Sequence, residues 1–362
     1  MRPWRRLTPV PAGLAQEWGK AGVRGSGNRA AGLARGAAAA LCLVGLATGL
    51  GSAGAARAQQ GTWSIVASLP EPRQEMGVAA VGSRIYVMGG YVGSASSNST
   101  LVQVYDVDTD TWSEAAPVPD ALHHPSAAVV GGKVYLIGGF QNSFADRAPV
   151  SSVWVYDPAR DQWAAGAPLP APRGALAVAV LDGRIYALGG ERFSTGGGRP
   201  GYVPVDDAAV YDPRTDSWET LPPLRYRRDH LVAGAINGRV YAVGGRDRPI
   251  YTLPFVEIFD PATRTWREGA PMPTGRSGST AAVLDGSLYV FGGEGNSDNP
   301  YGVFNEVEAY DAASDTWTRF PPMPTPRHAT AAVVVGHRIF LPGGSLRQGS
   351  GVTALMDAFD PG

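Results

Sequence analysis

The sequence predicts an all-β fold in which six four-stranded antiparallel sheets close into a ring, and three observations predict it. First, 48 glycines and 30 prolines accompany only 17% charged residues in a chain of 362, a composition that suits short strands joined by tight turns. Second, six Gly-Gly pairs begin at Gly89, Gly138, Gly189, Gly244, Gly292 and Gly343, and each stands 26 residues after a tryptophan: Trp63, Trp112, Trp163, Trp218, Trp266 and Trp317. Third, one repeat is divided between the two ends. Asp106, Asp157, Asp212, Asp260 and Asp311 each follow an aromatic residue and precede a tryptophan by six, whereas Asp360, in "FDPG", has no tryptophan after it and Trp63 has no such aspartate before it. The two half-units complete one another. A ring requires that; an open solenoid, with polar caps at its ends, does not.

The elements follow in chain order. Residues 1–58 read as a secretion signal: basic residues precede an apolar run over 37–50, and "AARA" ending at Ala58 offers a small-x-small cleavage site. The run is too short to span a bilayer comfortably, so the chain is not expected to be membrane-embedded. The single cysteine, Cys42, lies within the run, so a chain cleaved after about Ala58 has no thiol and depends on packing alone. Residues 59–362 are expected to form one domain, exported to a periplasmic or extracellular location. Cleavage removes eight of the 31 basic and one of the 32 acidic residues, leaving 23 and 31, a net of −8. That balance lacks a basic nucleic-acid footprint.

Each unit then reads as four strands. In the third, "ALAVAVL" turns through Asp-Gly into "RIYALGG", a loop follows, and "AAVYDP" leads to "SWETL". Such turns hold the residues that two-residue hairpins need for positive φ. From each Gly pair to the next repeated Asp the count runs 17, 19, 23, 16, 19 and 17, so all length variation falls in the loop between the second and third strands. Six four-stranded antiparallel sheets around an axis make a six-bladed β-propeller, its last blade closed by the N-terminal strand around Trp63.

The paired glycines after an aromatic-containing strand (Tyr86, Tyr135, Tyr186, Tyr241, Tyr289, Phe340), the aromatic-Asp pair and the tryptophan six residues on resemble the kelch repeat over residues 61–362. The resemblance implies a binding module for a protein, peptide or glycan. Its glycines are expected to permit close backbone approach and its aromatics to fill the space between blades.

Connections in a four-stranded meander alternate sides, so the elastic loops and the blade-to-blade connections share one face, shaped above all by 191–207 and 294–306. Sixteen residues before the Gly pairs stand Arg73, Leu122, Arg173, Arg228, Arg276 and Arg327, with His124, His230 and His328 one or two residues further on. The five arginines are expected to ring the mouth of the funnel and grip carboxylates; the alternative is a structural role in which they hydrogen-bond backbone carbonyls between blades. Directly after the Gly pairs come Tyr91, Phe140, Glu191, Arg246, Glu294 and Ser345, a variety that the repeat does not require and a ligand-shaped rim would.

A second reading is enzymatic. The chain is similar to the exported sialic acid mutarotases, also six-bladed kelch propellers, in which a Glu just after a Gly pair works with a nearby Arg. That resemblance implies catalytic roles for Glu191 with Arg199, or for Glu294 with Arg276 or Arg327. A copper oxidase like galactose oxidase would need a Tyr cross-linked to Cys, which the chain cleaved of its leader lacks. No metal-ligand spacing, triad or phosphate-cradling loop appears, so no metal and no cofactor are expected. The expected partners are a glycan, a carboxylated small molecule, or a protein or peptide.

Overall fold

A computed structural model describes residues 61–93, 97–195 and 201–362; the leader and Arg199 lie outside the described residues. Six four-stranded antiparallel sheets follow one another in chain order. The fourth is typical: Val232–Ile236 is innermost, then Arg239–Val243, Val256–Asp260 and Thr265–Glu268 outermost. In the sixth, Val333–Val335, Arg338–Pro342 and Met356–Asp360 receive Thr62–Ile65 as the outermost strand, with Trp63 opposite Phe359. The divided repeat therefore closes as expected. Inner strands such as TAAVL and VAGAI are rich in small residues because six of them converge on one axis.

The repeated residues close the ring at fixed points. Each repeat tryptophan donates its indole N–H to a carbonyl just past the outer strand of the preceding blade: Trp112 to Ala67, Trp163 to Ala116, Trp218 to Ala167, Trp266 to Pro222, Trp317 to Ala270 and Trp63 to Pro321, all at 2.8–3.1 Å. Each repeated Asp accepts the backbone N–H two residues on, which fixes the turn between third and fourth strands. The Gly pairs sit where blades touch. A Cβ on Gly244, at φ +68°, would meet the Arg276 carbonyl at 2.8 Å, and Gly245 donates its N–H to that same oxygen. Only glycine fits.

A further clamp explains where the repeat varies. In four blades an aspartate two residues before the tryptophan takes the tyrosine O–H of its own blade and a backbone N–H of the preceding one; Asp161, for example, accepts from Tyr156 at 2.6 Å and from Ala116 N at 2.8 Å. Asp110, Asp216 and Asp315 repeat this arrangement. At the two remaining joints the residue that would donate is Pro222 or Pro321, which has no N–H. There the aspartate is replaced by Arg264 or Gly61 and the tyrosine by Phe259 or Phe359. Asp161→Ala is expected to lower the melting temperature by about 2–4 °C. Phe259→Tyr combined with Arg264→Asp is expected to bring no gain, and a rise of several degrees would show that the proline is not what forbids the clamp.

Candidate functional site

The five arginines of the repeat are not at the mouth of the funnel. Arg73, Arg173, Arg228, Arg276 and Arg327 are all buried, at 0–1% exposure, and turn their guanidinium groups back into their own blades. Arg228 donates to the carbonyls of Gly244 and Phe255 at 2.9 Å and of Ala242 at 3.1 Å, and pairs with Glu257 at 2.7 Å. Arg276 pairs with Glu308, Arg327 with Asp357, Arg173 with Asp207, and Arg73 with the Gln103 amide oxygen. This corrects the expectation that they bind ligand: every such guanidinium already faces blade carbonyls and a blade side chain. In the second blade, where Leu122 takes the place of arginine, the facing third-strand position holds Trp154, so a polar pair has become an apolar one. Arg276 and Arg327 are likewise not the partners of Glu294.

The residues after these arginines do reach the axis, in two tiers. The first tier comprises Gln74, His123, Gly174, Asp229, Ser277 and His328, and each bridges to the residue after a Gly pair: Tyr91, Phe140, Glu191, Arg246, Glu294 and Ser345 respectively. The second tier is one residue on: Glu75, His124, Ala175, His230, Gly278 and Ala329, all with φ between 52° and 59°. Their backbones form a closed circle of hydrogen bonds, each N–H donating to the carbonyl of the preceding member at 2.8–3.1 Å, with Glu75 N to Ala329 O completing it. The left-handed conformation lets all six carbonyls run tangentially around the axis. Three of the six positions nevertheless carry large polar side chains, against the preference for glycine there.

Above this circle lies a cleft of about 230 Å³, and below it an axial cavity of about 190 Å³ walled by small residues such as Gly77, Ala127 and Ala281; Glu75, His124 and His230 line both. The cleft is polarised. On the side of the first two blades Tyr91 stacks on His123 at 4.2 Å between centroids, and Phe140 lies 5.3 Å beyond it. On the other side Arg246 pairs with Asp229 at 2.7 Å and with Glu294, His328 Nδ1 stands 3.7 Å from Glu294, and Arg147 and Arg248 approach Glu191 at 3.1 and 3.6 Å. Burial alone would raise the Asp229 carboxyl, but His230 and Arg246 hold it down at about 2.

Protonation follows from the same geometry. Tyr91 O–H stands 2.9 Å from His123 Nε2, His123 Nδ1 lies 2.5 Å from His124 Nδ1, and His124 Nε2 is 3.2 Å from Glu75. Burial, followed by the neighbouring His124, pushes His123 down to about 2, and burial lowers His124 as well. The His123 imidazole stays neutral in the folded chain, whereas in the unfolded chain it takes up a proton below about pH 6.5. The unfolded state then binds more protons, so stability falls as pH falls, by up to about 1.4 kcal/mol per pH unit for this histidine. A melting temperature that declines between pH 7 and 5, with a shallower slope in His123→Gln, is expected; equal slopes in both proteins would contradict it.

Of the residues picked out in the sequence, Tyr91, Phe140, Glu191, Arg246, Glu294, His124, His230 and His328 do line the cleft. Glu75, His123, Asp229, Arg147 and Arg248 were missed. Glu75 was legible in principle, since it occupies in the first blade the place that His124 and His230 hold in theirs. The sequence offers no metal-binding spacing, yet the fold gathers ligand atoms of Glu75, His124 and His230 within 4.8 Å of one another.

A sequence model of the KLHDC2/KLHL20/DRC7 Kelch-repeats domain matches residues 57–226 and 225–344. The Kelch-like protein terF of Aspergillus terreus is 35% identical over 327 residues, which cover 83% of this chain and 68% of that protein. Kelch-like protein 35 of Mus musculus is 36% identical over 101 residues, 28% of this chain and 16% of its own length. Among solved structures, one described as that of YjhT aligns with a TM-score of 0.67 over 81% of this chain and 96% of its own at 17% identity, a likeness of fold.

Proposed function

The chain belongs to the kelch-repeat family, and we propose that it binds a small hydroxylated acid, a sugar-sized molecule bearing a carboxylate, in the axial cleft of its loop face. One observation carries this reading. Among the described residues, Glu191 Oε1 and His328 Nδ1, of residues that line the cleft, are buried with no hydrogen-bond partner in the protein, as are Asp229 Oδ2 and Ser277 Oγ in the tier that borders it. Buried polar atoms are normally satisfied, so a cluster of exceptions at one cleft favours a ligand with several hydroxyl groups. Tyr91 and Phe140 offer an apolar wall for a sugar face, and Arg248, 36% exposed, offers a guanidinium to the carboxylate. The cleft is smaller than the roughly 300–1,000 Å³ of pockets for drug-sized ligands, which suits a monosaccharide better than an oligosaccharide or peptide. The reading takes the chain as exported, on the leader-like residues 1–58.

A thermal-shift screen against sialic and uronic acids, neutral sugars and acidic peptides tests it. A ligand at about 100 times its Kd adds roughly 2.7 kcal/mol to stability. A sugar acid is expected to raise the melting temperature of the wild type and not of Arg248→Ala. Stabilisation by an acidic peptide alone would favour a protein partner instead.

A sugar-epimerising reading draws on Glu191, whose Oε1 is buried and accepts no hydrogen bond while Arg248 stands 3.6 Å away. A carboxylate so placed is positioned to take a proton from a bound hydroxyl. Polarimetry with a sugar acid that binds decides it: mutarotation no faster than in buffer removes this second reading and leaves the binding site intact.

A further inference from the structure

We propose that Glu75, His124 and His230 form a binding site for one divalent first-row transition metal ion on the propeller axis. Two imidazoles and one carboxylate make a donor set used by zinc and by non-haem iron(II), with positions left open for water or a ligand. Donor atoms bound to one ion at about 2.0–2.2 Å stand roughly 3–4 Å apart. A spread within 4.8 Å closes by side-chain adjustment of less than about 1 Å.

Two further features point the same way. Each histidine is held at Nδ1 by a neighbour: His230 by Asp229 Oδ1 at 2.5 Å, and His124 by His123 Nδ1 at 2.5 Å. This leaves each Nε2 as the ligand atom, the outer-shell arrangement that orients metal-binding histidines. The Tyr91–His123–His124 chain serves His124 in either tautomer: with His124 protonated at Nδ1 and His123 at Nε2, both imidazoles are neutral, the Tyr91 oxygen accepts from His123 while keeping its own proton, and His124 Nε2 is free. Arg246 stands 3.3 Å from His230 Nε2, but its charge is already met by Asp229 and Glu294. Second, the three polar side chains line both the cleft and the axial cavity, at positions where the circle elsewhere carries only alanine or glycine.

The same circle supplies well-behaved variants. Ala175 and Ala329 already occupy equivalent positions at φ 52° and 57°, so His124→Ala and His230→Ala are expected to fold. Metal-free purified protein is titrated with Co²⁺ and followed by visible absorption, metal content and melting temperature. The expected result is one Co²⁺ per chain with ligand-field bands, displaced by Zn²⁺ and not by millimolar Mg²⁺. Either alanine variant should weaken binding more than about 100-fold, beyond the 10–100-fold typical of an outer-shell loss, which is the range expected for Asp229→Asn. His337→Ala, at an exposed His–Asp pair, should change nothing. Less than about 0.1 Co²⁺ per chain, or binding that survives both alanine variants while they remain folded by circular dichroism, would overturn the proposal. Neither outcome depends on which organic ligand the cleft takes.

Discussion

Arg228→Ala is expected to cost about 3–5 kcal/mol of folding free energy, because it strands Glu257 in the interior. Arg228 and Glu257 are 0% and 1% exposed, 2.7 Å apart, and the guanidinium also meets three carbonyls of the fourth blade. Glu257 already feels its surroundings: burial raises its carboxyl despite the arginine beside it. Without that arginine it must ionise unpaired or take up a proton. Arg228→Met with Glu257→Leu should recover most of the loss, since a well-packed apolar pair can replace a buried ion pair, as Leu122 with Trp154 does in the second blade. Arg173→Ala should be milder, because Asp207 is 31% exposed and 3.6 Å away. Urea unfolding of the four proteins checks the order; a double variant no better than the single would show that the arginine acts through its carbonyl contacts.

Deleting residues 61–66 should have the largest effect on the fold. That segment supplies the outer strand of the sixth blade, the Trp63 contacts with Phe359 at 4.8 Å and Phe291 at 5.9 Å, and the indole bond to Pro321. Its loss bares the edge of Met356–Asp360 and leaves the first and sixth blades held by the remaining backbone bonds, from Leu69 N to Ala354 O, Arg73 N to Thr353 O, Gly344 N to Arg73 O and Glu75 N to Ala329 O, and by the packing of Ile85, Val87 and Tyr105 against Phe340 and Met356. Cooperative unfolding should give way to a broad transition, with exposed apolar surface detectable by dye binding. A sharp transition at the original temperature would mean that the latch contributes little.

The fold was legible because its determinants are periodic. A tryptophan 26 residues before each Gly pair survives in every blade because it answers a carbonyl of the neighbouring blade, and the repeated aspartate survives because it answers an N–H of its own turn. The arginines were legible as a set and misread as a site. Periodicity itself pointed to structure, and the partners Glu257, Glu308 and Asp357 stand two residues before the repeat aromatic in their blades. The cleft was half legible. The residues after the Gly pairs depart from the repeat, and five of them, Tyr91, Phe140, Glu191, Arg246 and Glu294, line the cleft. Glu75 and Asp229 were missed because the tier to which each belongs mixes Ala, Gly, Gln and Ser with His, so a fixed distance from the Gly pair marks the positions as equivalent without marking them as polar. Arg147 and Arg248 come from the elastic loops, whose positions no spacing fixes.

Arginines that hold blades are distinct from arginines that face the cleft. The most direct test measures melting temperature and the shift produced by a sugar acid side by side in Arg228→Ala and Arg248→Ala. The first should show a lowered baseline with the ligand shift retained, and the second an unchanged baseline with the shift lost. A shift lost in Arg228→Ala while that variant remains folded, and retained in Arg248→Ala, would contradict that distinction.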